Sequence, residues 1–182
     1  MKKHFLILMI FFLILQGCSS DSQKQNNISE DDFTVILSSD KNTYKNNDDV
    51  IITAKLKYTG EKDKITIFHG ESPFYFSIKE TTTDTFIPTF TRSPLLKKVL
   101  IRNEWYEEIY DKSNATTITS DNIDTIKKLE GINNEFIAKF LEGKTFPPGN
   151  YLITLETEFD TEINGIINEY KFLDSIEIVV ED

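Results

Sequence analysis

The sequence predicts a mainly β protein, an antiparallel β-sandwich with a short helical insertion before its last hairpin. Three observations carry this prediction. Apolar and polar residues alternate over several short stretches, most regularly from Val50 to Thr59. Turn-forming residues separate those stretches at the spacing of sandwich strands. Helical spacing replaces alternation in only one region, at about residues 121–142.

Taken in order, Phe33, Val35 and Leu37 alternate with Thr34 and Ser38 as a half-buried strand does. Asp40 to Asp49 reads as a polar turn region with Tyr44 as its apolar landmark. In Val50 to Thr59 the residues Ile52, Ala54 and Leu56 share one face and lysines the other, so this strand should be central and buried on one side. Thr59-Gly60 turns it, Lys64 to His69 forms the next strand, and Gly70 to Pro73 bends the chain into one lined by Phe74, Phe76 and Ile78. Thr81 to Pro94, with Pro88 and Pro94, reads as an irregular or edge segment held by Phe86, Ile87 and Phe90. Leu95 to Ile101 and Glu104 to Tyr110 follow as strands around a turn at Arg102-Asn103. Ile123, Ile126 and Leu129, then Phe136, Ile137, Phe140 and Leu141, recur at helical spacing, and Gly131 and Gly143 stand as helix stops. Two short helices, or one broken one, are expected. Pro147-Pro148-Gly149 turns the chain into a long strand through Tyr151 and Phe159, and Asn164-Gly165 is the favoured two-residue hairpin turn. The return arm runs through Tyr170 and Phe172 to Val180, for about seven to nine strands in all.

The N-terminus fixes where this domain should reside. Lys2 and Lys3 precede an apolar run, Phe5 to Leu15, long enough for a secretion signal but short for a bilayer span. Leu15-Gln16-Gly17-Cys18 resembles the lipobox of bacterial lipoproteins, which implies cleavage after residue 17 and a diacylglyceryl group on Cys18. Gln16 stands where that pattern usually has a small residue. Cys18 is the single cysteine of the chain, so an exported form has no internal disulfide partner, and acylation removes the exposed thiol. Two acyl chains, at about 0.8 kcal/mol per buried methylene, anchor a protein where one is marginal. The expected organisation is a signal peptide at 1–17, a flexible tether at 18–32 with a reach of about 20 Å, and a domain at 33–182. The protein should therefore sit on the outer, extracytoplasmic face of the cell membrane.

Charge narrows the partners. Of 182 residues, 20 are basic and 30 acidic; losing 1–17 removes two lysines and no acid, leaving a formal charge of −12. This argues against nucleic acid and against lying flat on anionic lipid. Aromatics at 12% make the remainder too apolar for a disordered stalk.

Several residues resemble a family. Lys41-x-x-Tyr44, Asp48-Asp49 leading into Val50-x-Ile52, Gly60, Phe74-x-Phe76-x-Ile78 and Pro148-Gly149-x-Tyr151 are similar to the immunoglobulin-like domain of the Bacillus intracellular proteinase inhibitor and of uncharacterised Bacillus-type lipoproteins. The match spans roughly residues 33–80 and 147–159, with Asn47 where a turn glycine is common. The resemblance implies an immunoglobulin-like sandwich and, more distantly, protease inhibition through an exposed loop such as Asn42 to Asp49 or Thr82 to Pro94.

Chemistry-bearing constellations are sparse. After signal removal His69 is the one histidine, which rules out a two-histidine metal site, and no serine sits in a nucleophile-elbow pattern. Asp31-Asp32, Asp48-Asp49 and Asp121-x-x-Asp124 could offer oxygens to calcium, but none has EF-hand spacing, and solvated turns explain them. No cofactor and no metal are expected. Trp105, Tyr106 and Tyr110, with Glu104, Glu107 and Glu108, form the densest aromatic and acidic patch. On a strand Trp105 and Ile109 share one face and Tyr106 and Tyr110 the other. One pair is either a platform for a protein, peptide or glycan ligand, or packing beneath the helical insertion. The sequence thus points to a membrane-anchored, non-enzymatic binding module, with a proteinase inhibitor as the alternative and a cell-wall enzyme using paired carboxylates behind both.

Overall fold

The computed structural model describes residues 24–30, 32–87, 89, 94–112 and 134–182. Its strands form two facing sheets. The first has the order β1 (Lys24–Glu30), β2 (Phe33–Ser39), β4 (Ile52–Tyr58), β9 (Trp105–Ile109). The second runs β3 (Thr43–Lys45), β11 (Ile166–Glu181), β10 (Gly149–Ile163), β5 (Lys64–His69), β8 (Leu96–Ile101). Two further strands, β6 (Phe74–Glu80) and β7 (Thr85–Ile87), join this sheet beside β5, β6 pairing with β10 and β7 with β6. The fold is a β-sandwich, as the alternation predicts, with eleven strands among the described residues.

β4 shows why the sheets face each other. Ile52, Ala54, Leu56 and Tyr58 are buried while the residues between them are half-buried on the outer face. Val35 and Leu37 of β2 lie opposite Leu56 and Ala54. From the second sheet Tyr151, Ile153, Leu155 and Phe159 meet this layer, and Phe172, Ile176, Ile178 and Val180 extend it. Each such side chain is worth about 1.5–3 kcal/mol when withdrawn from water.

β10 and β11 pair along their whole length, from Gly149 with Val180 to Ile163 with Ile166. Asn164 and Gly165 turn them with φ of 55° and 78°, so the expected tight hairpin is present. On its other edge β10 pairs first with β6 and then with β5, which run in one direction and are separated by the bend at Gly70 to Pro73.

Three expectations are corrected. Lys24–Glu30, read as tether, is an edge strand: it pairs with β2 in register from Glu30 opposite Phe33 to Lys24 opposite Ser39, so backbone hydrogen bonds order a segment whose polar composition offers little burial. Thr43–Lys45, read as turn, is a strand parallel to β11, so one pairing departs from the antiparallel pattern. Tyr44 is fully buried there, its hydroxyl donating to Asp40 at 2.6 Å, while Lys41 pairs with Asp48 at 2.9 Å. The Lys41-x-x-Tyr44 and Asp48 residues thus close this corner. Phe86, expected to hold the 81–94 segment down, is exposed and has Lys79 over its ring, whereas Ile87 is buried. Asn47 takes the left-handed conformation, φ 74°, that a glycine would otherwise supply. Pro88 and Phe90 lie outside the described residues.

Of the helical insertion, α1 (Asn134–Glu142) is described, and 121–133 lie outside the described residues. Phe140 and Ile137 bury one face against Phe146 and its neighbours. Beyond the C-terminus of α1, the Lys112 ammonium donates to the carbonyls of Gly143 and Thr145 at 2.5 and 2.9 Å, a cation where the helix dipole favours one. Burial lowers its pKa to about 8.

Candidate functional site

The resemblance motifs prove structural. Glu80, at the end of β6, is 1% exposed, yet it accepts hydrogen bonds from the Thr82 and Thr83 amides at 3.0 and 2.7 Å, from the Thr83 hydroxyl at 2.6 Å and from the Asn150 amide at 3.3 Å. Burial alone would raise its pKa, but these donors outweigh it and hold the carboxyl down at about 2. A Cβ on Gly149 would stand 3.1 Å from Glu80 Cγ, so the glycine makes room for the carboxylate. Two residues on, the Tyr151 hydroxyl donates to the Pro147 carbonyl at 2.6 Å, the geometry of a tyrosine corner. Pro148-Gly149-x-Tyr151 therefore seals one end of the sandwich.

The opposite kind of environment lies where β8 and β9 face one another, each at the edge of its sheet. A turn at Arg102-Asn103 joins them, closed by the Glu104 amide on the Ile101 carbonyl at 3.1 Å. Between them opens a groove of about 570 Å³ lined by Leu95, Leu96, Lys97, Lys98, Tyr106 and His69, with Phe68 beside it.

β9 distributes its aromatic residues by the strand period. Tyr106 points inward, stacks on Phe74 with centroids 5.6 Å apart, and carries the Lys98 ammonium 3.7 Å above its ring. Its hydroxyl donates to Glu108, which also accepts from the Ser72 hydroxyl at 2.8 Å. Burial, followed by the Glu108 hydrogen bond and charge, pushes the Tyr106 phenol well above its ordinary pKa. Tyr110 also points inward, is 7% exposed, and packs on Phe76 and Phe146 at 5.4 and 6.2 Å. Trp105 points outward, half exposed, with the Lys57 ammonium 4.3 Å from its ring. The three aromatic residues singled out in the sequence thus share no surface: Tyr106 lines the groove, Trp105 lies on the outer face, and Tyr110 belongs to the core.

His69 ends β5 on the groove wall. Its Nδ1–H donates to the Gly70 carbonyl at 2.9 Å, which leaves Nε2 as an acceptor, buried and with no partner among the described residues. Burial lowers its pKa, with Lys98 adding to that and the Gly70 carbonyl and Glu108 opposing it, so the ring is neutral at physiological pH. The Ser72 hydroxyl directs its proton to Glu108 and accepts the Phe74 amide, so it is not paired with His69 as nucleophile and base.

Sequence reasoning missed the β8 half of the groove. Leu95 is 82% exposed, and Leu96, Val99 and Ile101 are also open to solvent. The signal was present in Leu95-Leu96-Lys97-Lys98-Val99, since lysines on an apolar strand mark an edge. Cys18, Asp31, Asp121 and Asp124 lie outside the described residues, and among the described residues no group of three His, Cys, Asp or Glu side chains could hold a metal ion. Asn42 to Asp49, one of the two loops suggested for protease inhibition, is bound to β11 and to Lys41. No helix among the described residues is long and apolar enough to cross a membrane.

No protein-family model and no curated protein matches the chain. Among solved structures it is similar to a protein from Archaeoglobus fulgidus at 10% identity and a TM-score of 0.33, covering 87% of this chain and 94% of that one.

Proposed function

We propose that this chain is a lipid-anchored, extracytoplasmic β-sandwich that acts by binding a partner rather than by catalysis. The anchor reading rests on Lys2-Lys3, the Phe5 to Leu15 run and Leu15-Gln16-Gly17-Cys18. The observation that carries the binding reading is the open mouth between β8 and β9. Two strand edges there lack a second neighbour among the described residues, and Leu95, Val99, Trp105 and Ile109 are exposed beside them. Unpaired edges flanked by apolar side chains are the surfaces that proteins otherwise cover or charge. The mouth suits a protein partner, which can both continue a sheet and cover these side chains.

Fractionation of cells producing the full chain and its Cys18→Ser variant tests the anchor. The wild type is expected in the detergent phase and the variant in the aqueous phase or unprocessed. Equal membrane retention of both would overturn the anchored reading.

A further inference from the structure

We propose that the partner at the mouth is a second copy of this chain, with β8 of each copy pairing antiparallel with β9 of the other around a twofold axis that runs along the strands. The inference rests on the reading of the mouth as a binding surface and, for the direction of the axis, on the anchor at Cys18.

Charge selects the pairing. β8 carries Lys97 and Lys98, while β9 carries Glu107 and Glu108 with Glu104 just before it. Strands paired β9 to β9 and β8 to β8 would set like charges against one another, which destabilises a sheet edge. Pairing β8 to β9 sets Lys97 against Glu107. Because each copy offers both strands, the contact is made twice and the assembly closes on itself instead of growing into a filament.

Symmetry then fixes the register. Within one copy the Lys98 ammonium lies over the Tyr106 ring, and we take residues 98 and 106 as level across the mouth. Strand directions in the two sheets of a sandwich stay within about 30° of each other, and a twofold axis along them carries no translation, so the same levels meet between copies. On the outer faces this brings Lys97 to Glu107, Val99 to Trp105 and Leu95 to Ile109 of the second copy, one complementary charge pair and two apolar pairs. The three apolar residues most exposed along this register, Leu95, Ile109 and Val99 at 82, 61 and 51%, gain neighbours in it. Glu107 already meets Lys55 at 2.6 Å but keeps half its side chain open for a second cation.

The anchor favours the same axis. β1 starts at Lys24, at the Ser39 end of the first sheet. An axis along the strands leaves both Lys24 residues at one end, where two chains can reach one membrane. An axis perpendicular to the sheets, the one that would pair β9 with β9, sends them to opposite ends.

The test uses the full chain, produced in one cell with two different tags and captured from mild detergent through one of them. Wild-type copies are expected to capture each other. Lys97→Glu in both copies, or Glu107→Lys in both, sets two like-charge contacts in place of two attractive ones and lowers capture about tenfold. A Lys97→Glu copy mixed with a Glu107→Lys copy restores opposite charges at both contacts and recovers wild-type capture, which a folding defect in either variant would not allow. Failure of wild-type copies to capture one another overturns the proposal, as does equal capture by the single variants. Stronger capture by Glu107→Lys alone indicates β9-to-β9 pairing and also overturns it. Cys18→Ser copies, captured without detergent from the fraction they occupy, are expected to follow the same charge pattern, so loss of the anchor and loss of self-association are read separately.

Discussion

Glu80 and His69 each end a strand of the same broken run along β10, and each carries a polar group into the interior. Glu80 arrives among donors: two threonine amides, a threonine hydroxyl and the Asn150 amide, with Gly149 kept clear of it. His69 arrives with one bond to the neighbouring Gly70 carbonyl and a buried nitrogen without a partner among the described residues. Around Glu80 the sandwich is sealed by Tyr151, Phe146 and α1; around His69 it gapes, and leucines stand in water. The difference separates two uses of a buried polar atom. Where the chain supplies every partner, the group holds the fold together. Where it does not, the buried atom carries a desolvation cost and adds no such hold.

The strongest test of this contrast is at the floor of the mouth. Leu56 of β4 lies in register with Tyr106 of β9 and is fully buried, so Leu56→Ala is expected to cost about 2–5 kcal/mol in a denaturant melt. Lys55→Ala, on the outer face, should cost about half a kcal/mol, because its ion pair with Glu107 is partly solvated. A small loss for Leu56→Ala would mean that the opening extends into the core and is not confined to its rim.

The next effect belongs to the sealed end. Glu80 has a folded pKa of about 2 against an ordinary 4.5, so its contribution is fully present above pH 4.5 and is lost as the pH falls from there through 2. Linkage sets that contribution at about 3 kcal/mol at most. Glu80→Gln should lower stability at neutral pH by about 1–3 kcal/mol and flatten the acid limb between pH 4.5 and 2. An unchanged acid limb in that variant would show that the carboxylate is not the group being titrated.

At His69, against Glu80, only a small change is expected. Replacing a buried acceptor that lacks its partner by an apolar group removes a desolvation cost, so His69→Leu should shift stability by no more than about 1 kcal/mol, in either direction. If His69→Leu proves as damaging as Glu80→Gln, the two strand ends are equally built for stability and the contrast fails.

The sequence by itself determined the strands whose alternation is local: β2, β4, β10 and β11, the Asn164-Gly165 hairpin, and the helical spacing at residues 136–141, because a period of two or of 3.6 is written in neighbouring residues. It also supplied Tyr106 as a candidate, through the density of aromatic residues on one strand. Tertiary structure decided everything that depends on what lies opposite. It ordered Lys24–Glu30 by giving their backbone an edge to pair with, and it turned Tyr44 from a turn landmark into a sealed corner through β11. It sent Tyr110 into the core and left Trp105 outside, since the period of a strand fixes which residues share a face but not which face meets the other sheet. The open mouth was the least legible feature. It arises from two strands in different sheets that each lack a second neighbour among the described residues, and pairing across that distance leaves no local periodicity to read.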